Sequence, residues 1–356
     1  MRIAQVSPLY ESVPPRLYGG TERVVSWLTE ELVALGHDVT LFASGESRTA
    51  ARLMPQCPQA LRLSGTCKDP LAVHLAMTEE VYRMAAEFDV VHWHIDYLHY
   101  PVTVRERHPN LTTLHGRLDL PELQPVYRAY GHLPLVSISD AQRAPLPFAN
   151  WIATVHHGMP AGSYRARLEP GQYLAFLGRF SPEKRPDRAI EIARRAGLPL
   201  KLAAKVEKSD EDYFNNVVKP LLSTPGIEYV GEIGEKDKNE FLSNAIALLF
   251  PIDWPEPFGL VMIESMACGT PVVAWSQGSV PEVLEDGVTG RLVPRIEEAV
   301  HAVQNIHSIS RRRCREVFEQ RFSSARMARD YLRVYERLAK GPQPMLDDRA
   351  VEVGQP

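Results

Sequence analysis

Cysteine is scarce in this chain: four in 356 residues, Cys57, Cys67, Cys268 and Cys314, with no CxxC spacing among them. That points to reduced thiols in the cytoplasm, although Cys57 and Cys67 stand near enough to pair across their short loop. No uninterrupted apolar run is long enough to cross a bilayer. Residues 1–8 alternate like a strand, in a run too short for a signal-peptide core. Basic charge is not in excess either. A net charge of −4 and an isoelectric point near 6.3 provide no overall field for nucleic acid. No GxGxxG follows the first strand, which disfavours a nicotinamide enzyme. What remains is a globular composition, 44% hydrophobic, at a length that suits two domains of about 150 residues and small-molecule partners.

The pattern with most chemical content is Trp254-Pro255-Glu256-Pro257-Phe258-Gly259-Leu260-Val261-Met262-Ile263-Glu264, closed by Gly269-Thr270-Pro271. The two prolines fix extended or turn backbone around Glu256, so its carboxylate precedes the helix and faces a cleft. Residues 258–266 are nearly all apolar, which predicts a buried helix. Glu264 is the exception within it. A buried carboxylate requires a cation or a set of hydroxyl donors, and a ribose diol would serve. The amides of Phe258, Gly259 and Leu260 lie at the helix start, where the dipole favours a phosphate.

Upstream, a strand over residues 2–7, a helix over 21–35 and a strand over 39–43 make a βαβ unit, with a long loop ending in Gly19-Gly20 before the helix. Residues 48–70 read as irregular and residues 71–87 as a helix. Alternation then puts His92, His94 and Asp96 on one strand face, with His99 close behind. Cleft lining is preferred there over a metal site. The strand over 111–114 delivers His115-Gly116. Asp140 can cap a helix, and Arg143 can reach an anionic group. The last strand of this half covers 151–155, and proline and glycine in residues 160–171 suggest a hinge.

The second half begins with a strand ending in Gly178-Arg179, followed by Glu183-Lys184-Arg185-Pro186 opening a helix to Ala196. Arg179 and Lys184 both fall at the carboxyl edge of a sheet, where they can converge on one diphosphate. Lys205 follows the next strand and can add a cation to the diphosphate or nucleotide region. Asp210-Glu211-Asp212 is formally a manganese-type Asp-x-Asp but reads as capping charge at a helix start. The strand over 227–233 ends at Ile233. Arg311-Arg312-Arg313 with Arg315 is the dense basic run, read as a solvated helix face with weak peripheral membrane contact as the outside alternative.

The Glu256-x7-Glu264 pair, the Pro-Phe-Gly turn, the Gly-Arg…Glu-Lys pattern and Thr-Leu-His-Gly at 113–116 resemble the retaining GT-B glycosyltransferases of family four. The resemblance implies an α/β fold of two Rossmann-like domains facing a central cleft: 1–160 on the acceptor side, 161–322 for the nucleotide sugar, a crossover helix at 323–340 and a disordered tail at 341–356. It implies a donor site of Gly19, Gly20, Arg179, Lys184, Lys205, Ile233, Phe258, Gly259, Leu260 and Glu264, with His115, Arg179, Lys184 and Glu256 as the catalytic set. His92, His94, Asp96 and Arg143 would then line the acceptor cleft. The reaction implied is transfer of a hexose from a nucleotide-diphosphate sugar, UDP-linked first and GDP-linked second, to an acceptor hydroxyl without a metal. The chain departs from the family at Arg185, where glycine is common, and at His156-His157-Gly158, where Asn-Gly is usual. A GT-B phosphorylase or sugar-nucleotide epimerase would use the same fold, and a non-catalytic nucleotide-sugar-binding module would lack Glu256 or His115.

Overall fold

The computed structural model describes residues 1–341 apart from 17–18, 63, 66 and 106–107. The expected disordered tail lies, beyond Gly341, outside the described residues.

Two all-parallel sheets carry the architecture. The first contains β1 (Arg2–Val6), β2 (Asp38–Ser44), β3 (Arg52–Cys57), β4 (Val90–Trp93), β5 (Asn110–Thr113), β6 (Leu135–Ser137) and β7 (Trp151–Thr154), in the order β3-β2-β1-β4-β5-β6-β7. The second contains β8 (Tyr173–Arg179), β9 (Leu200–Lys205), β10 (Ile227–Gly231), β11 (Ala245–Phe250), β12 (Val272–Trp275) and β13 (Gly290–Val293), in the order β10-β9-β8-β11-β12-β13. Parallel strands need crossovers, which cover both faces with helices and bury the central strands. Ile3, Ala4 and Val6 of β1 and Leu174 and Ala175 of β8 are accordingly fully buried. Each sheet reverses its winding beside its first strand, between β1 and β4 and between β8 and β11. Ligands bind outside the carboxyl ends of strands at such points.

One strand escapes the sequence reading. Residues 48–70 were expected to be irregular, yet Arg52–Cys57 pairs with β2 as β3. It lacks β-branched residues and contains Pro55, a composition that suits only a sheet edge, and the edge is where it sits. Two helix starts also fall later than the apolar pattern suggests. The helix after Lys184 begins at Pro186, because Arg185 adopts a left-handed conformation with φ of 53°. That conformation is natural for the glycine common in the resembled family. Arg185 is held there by ion pairs to Asp187 at 2.7 Å and Asp253 at 3.0 Å. The buried helix runs over Leu260–Ala267, since Gly259, at φ of 78°, turns the chain first.

The last helix, Ser324–Ala339, crosses back to the first sheet. Its start pairs with the connecting segment, Met159 N–H donating to Phe322 O at 2.9 Å and Ser324 N–H to Met159 O at 2.9 Å. Its buried face, Met327, Tyr331, Val334 and Tyr335, packs on the helix Gly20–Ala34 and on β4.

The basic run is not a solvated face. Arg311 donates to the carbonyls of Arg167 (2.7 Å), Ala245 (2.8 Å) and Ser243 (2.7 Å) and to Thr270 Oγ1 (2.8 Å). Arg315 donates to Tyr164 O (2.8 Å), Ala267 O (2.7 Å) and Ala161 O (2.6 Å). Both tie the segment that links the sheets to the second sheet's helices, and only Arg312 and Arg313 of the run are exposed. Arg311→Ala strands several buried carbonyls and should cost about 3 kcal/mol, whereas Arg312→Ala should stay within about 0.5 kcal/mol of wild type. Urea unfolding of both variants checks this; equal effects would contradict the assignment.

Candidate active site

Both reversal points open onto one cavity of about 680 Å³. From the second sheet, β8 ends in Arg179 and β11 leads through residues 251–253 to Trp254 and Glu256, as proline at 255 and 257 fixes the turn. The turn is braced from behind. A side chain at Gly278 would sit 2.4 Å from Glu256 N, so only glycine permits that approach. Ser279 N–H donates to Glu256 O (2.9 Å), Ser279 Oγ to Phe258 O (3.0 Å), and Ser139 Oγ reaches across from the first domain to Pro257 O (2.7 Å).

The charges of this wall are matched among themselves. Lys184 Nζ meets Glu256 Oε2 and lies 5.0 Å from the centre of the Trp254 ring, while Trp254 Nε1 donates to the same carboxylate oxygen at 2.9 Å. Arg179 pairs with Glu183 (2.5 Å), Glu207 (3.2 Å) and Asp210 (3.6 Å). Burial and the neighbouring Glu183 and Glu207 carboxylates push the Asp210 carboxyl up, against the opposing pull of Arg179. Glu264, 3% exposed, meets the Nζ of Lys238 at 2.8 Å. Of the two partners expected for it, the structure supplies the cation.

The opposite wall is built from imidazoles. Gln5 Nε2 donates to the Tyr335 hydroxyl (3.0 Å), so Gln5 Oε1 accepts from His94 Nε2 (2.8 Å), and His94 Nδ1 accepts from His115 Nε2 (2.9 Å). On the other side the Tyr335 hydroxyl donates to His92 Nδ1 (2.7 Å), and His92 Nε2 donates to Thr113 Oγ1 (2.7 Å), which also bonds the Tyr331 hydroxyl (2.9 Å). His157 stacks on His115 with ring centres 5.3 Å apart, and the Nδ1 atoms of both are buried without a partner. Arg326 of the last helix holds the carbonyls of His156 (2.7 Å) and His157 (2.8 Å).

The cavity thus gathers Gly19, Gly20, His94, Asp96, His115, Arg179, Lys184, Lys205, Ile233, Glu256, Phe258, Gly259, Leu260 and Glu264. Two expected cleft residues do not reach it. His92 is fully buried between Tyr335 and Thr113, because the face that strand alternation assigns it is covered by the last helix. Arg143 points away, donating to Ser137 Oγ (2.7 Å) and lying 5.5 Å from the centre of the Trp151 ring. His99 likewise is structural, stacked on Trp93 at 4.3 Å. Asp96 lines the cavity, but by a left-handed φ of 52° beyond the end of β4 rather than by strand alternation. All four cysteines are free. The sequence reading missed Lys238, whose signal was only its place in a polar helix, His157, and the bracing role of Gly278-Ser279.

Two Rossmann-like sheets with a charged cleft between them define an α/β architecture of two facing halves, and comparison with known proteins gives the family. Residues 18–190 match the Glycosyltransferase Family 4 family and residues 165–320 the Glycosyl transferases group 1 family. A phosphatidyl-myo-inositol mannosyltransferase of Propionibacterium freudenreichii subsp. shermanii is 26% identical over 382 residues, 96% of this chain and 93% of that one. AviGT4, a glycosyltransferase involved in avilamycin A biosynthesis, superposes with a TM-score of 0.72 at 24% identity over 96% of this chain and 99% of its own. HepE of Anabaena, solved with UDP and glucose, gives 0.72 at 17% identity over 94% and 99%. The chain belongs to the family-four, group-1 glycosyltransferases and has the GT-B fold; it is a glycosyltransferase. Among the described residues no helix is long and apolar enough to cross a membrane.

Burial lowers the imidazole pKa values of His92, His94 and His157 well below the ordinary 6.5, and brings His115 to about 3. The unfolded chain takes up these protons below pH 6.5 while the folded cluster stays neutral. The stability is therefore complete above pH 6.5 and is lost as pH falls towards the folded-state values, by up to about 1.4 kcal/mol per pH unit for each histidine. Urea midpoints should fall from pH 6.5 to roughly 4.5 and do so less steeply in His157→Asn. A flat profile over that range would rule out neutral burial.

Proposed function

We propose that the chain is a retaining glycosyltransferase that moves a hexose from a nucleotide-diphosphate sugar to an acceptor hydroxyl without a metal. The observation that carries this reading is the convergence of Arg179, Lys184, Glu256 and Glu264 with two helix starts on one cavity. The helices Gly20–Ala34 and Leu260–Ala267 begin on opposite walls, and a side chain at Gly20 would lie 3.8 Å from Leu260. Their free amides and dipoles favour an anion between them.

In this scheme the ribose hydroxyls donate to Glu264, whose charge Lys238 keeps in place. The diphosphate draws Lys184 away from Glu256 and Arg179 away from its three carboxylates. Glu256 is then free to accept hydroxyls of the sugar, and His115 contacts the sugar from across the cleft. Arg179 and Lys184 stabilise the charge that develops as the bond from the sugar's anomeric carbon to the phosphate oxygen breaks, the kind of preorganised charge that is usually the largest catalytic contribution. The acceptor oxygen bonds to that carbon on the face the diphosphate leaves, and its proton passes to the departing phosphate oxygen, so configuration is retained without a covalent enzyme intermediate. Enclosure between the domains limits hydrolysis of the donor. UDP-sugars come first and GDP-sugars second, in keeping with the UDP bound by the structurally similar HepE. A cytoplasmic location accords with the free thiols.

Donor binding and slow donor hydrolysis across UDP-, GDP- and ADP-sugars test the proposal. One donor should bind, and Glu264→Ala and Arg179→Ala should each weaken it about 10- to 100-fold, the worth of a charged hydrogen bond. Binding of no nucleotide sugar by the wild type would sink the reading.

A further inference from the structure

The pair that holds Glu264 does not end at Lys238. Lys238 Nζ, 2.8 Å from Glu264 Oε1, is also 3.3 Å from Glu235 Oε2, one turn earlier on the helix Glu235–Ser243. The same Glu235 oxygen is 3.2 Å from Nη1 of Arg23, which belongs to the other domain. Arg23 lies in the first turn of the helix Gly20–Ala34, directly beyond the Gly19-Gly20 turn that lines the cavity. Tyr164 steadies the middle of the series, its hydroxyl donating to Glu235 Oε1 at 2.7 Å. Four charges therefore alternate in sign across the cleft, Arg23, Glu235, Lys238 and Glu264, and the outer two are 7% and 3% exposed. The inner two are half-buried, and charges partly withdrawn from water and salt depend on one another more than surface pairs do.

We infer that Arg23, Glu235 and Lys238 are positioning residues that couple a nucleotide seated on Glu264 to closure of the first domain. The inference rests on the proposed role of Glu264 as the ribose carboxylate. Hydroxyls donating to Glu264 share its charge with Lys238, and Lys238 then leans more heavily on Glu235, whose other cationic partner is Arg23. Closure in turn brings Arg23 to Glu235 and fixes Lys238 and Glu264 in the geometry the ribose needs. Linkage makes the effect reciprocal, so weakening the first-domain contact must weaken a ligand that Arg23 need not touch.

The test uses the whole chain and calorimetry with UDP, or GDP if that is the nucleotide the wild type binds. Arg23→Gln and Lys238→Gln should each weaken binding about tenfold, and the double variant by much less than the roughly hundredfold product. Arg23→Glu, which sets a like charge beside Glu235, should be worse than Arg23→Gln. Small-angle scattering should show wild type contracting on nucleotide addition and Arg23→Gln contracting less. Thermal unfolding of each variant separates misfolding from lost coupling, and Arg23→Lys, which keeps the charge, should stay near wild-type affinity. Multiplicative single effects, or Arg23→Glu no worse than Arg23→Gln, would overturn the inference while leaving the donor site intact. Failure of the wild type to bind either nucleotide would instead remove the functional reading beneath it.

Discussion

The structure depends on charge neutralisation inside a shielded cleft. Two sheets present their carboxyl edges to each other, and those edges carry Arg179, Lys184, Lys238, Glu256 and Glu264 into a space partly closed to water. Ionised groups in such a place must have partners or lose their charge. The chain supplies those partners from within: Glu256 for Lys184, Lys238 for Glu264, and a ring of three carboxylates for Arg179. A site built in this way is stable and also exchangeable, because a charged or hydroxylated ligand could take over bonds that the protein makes to itself.

The second constraint is the crossover helix. Tyr331 and Tyr335 insert buried hydroxyls into a line of histidines that ends at His115, and Arg326 fixes the backbone that carries His157. His92 and His94 in that line each use one nitrogen as donor and the other as acceptor, a pattern that only the neutral ring satisfies. The last helix of the second half thus sets the protonation and position of a wall formed by the first half. Arg311 and Arg315 act at the same junction by collecting carbonyls from the linking segment. A basic run that resembles a surface feature is therefore part of the joint.

Much of the second domain was legible in the sequence because its chemistry is local. The Trp254–Glu264 turn and helix, and the Arg179 and Lys184 pair on consecutive elements, place their groups by proline geometry, helix starts and strand ends. Those rules act over a few residues, and the structure puts all of these groups in one cavity. The first half was less legible. Alternation on β4 put His92 and His94 on one face without showing that the crossover helix, more than 200 residues later in the chain, covers the first while the second lines the cavity. Arg143 carried no sign of which way a short helical turn would aim it. The strand Arg52–Cys57 was hidden by an edge composition, and Lys238 by the ordinary polarity of its helix.

The sequence alone determined the fold class, the family, the turn around Glu256, the buried helix around Glu264 and the need of that glutamate for a partner. The family and its fold follow from the resemblance of motifs, and the rest from propensity, spacing or the cost of burying charge, which a residue carries wherever it is. Tertiary structure alone decided which partner Glu264 receives, which histidines face the cavity and which arginines are withdrawn from solvent. Those outcomes depend on contacts between residues far apart in the chain, such as Arg23 with Glu235 and His92 with Tyr335. No local rule reaches across such separations; only the packing of the two sheets and the returning helix brings these groups within bonding distance.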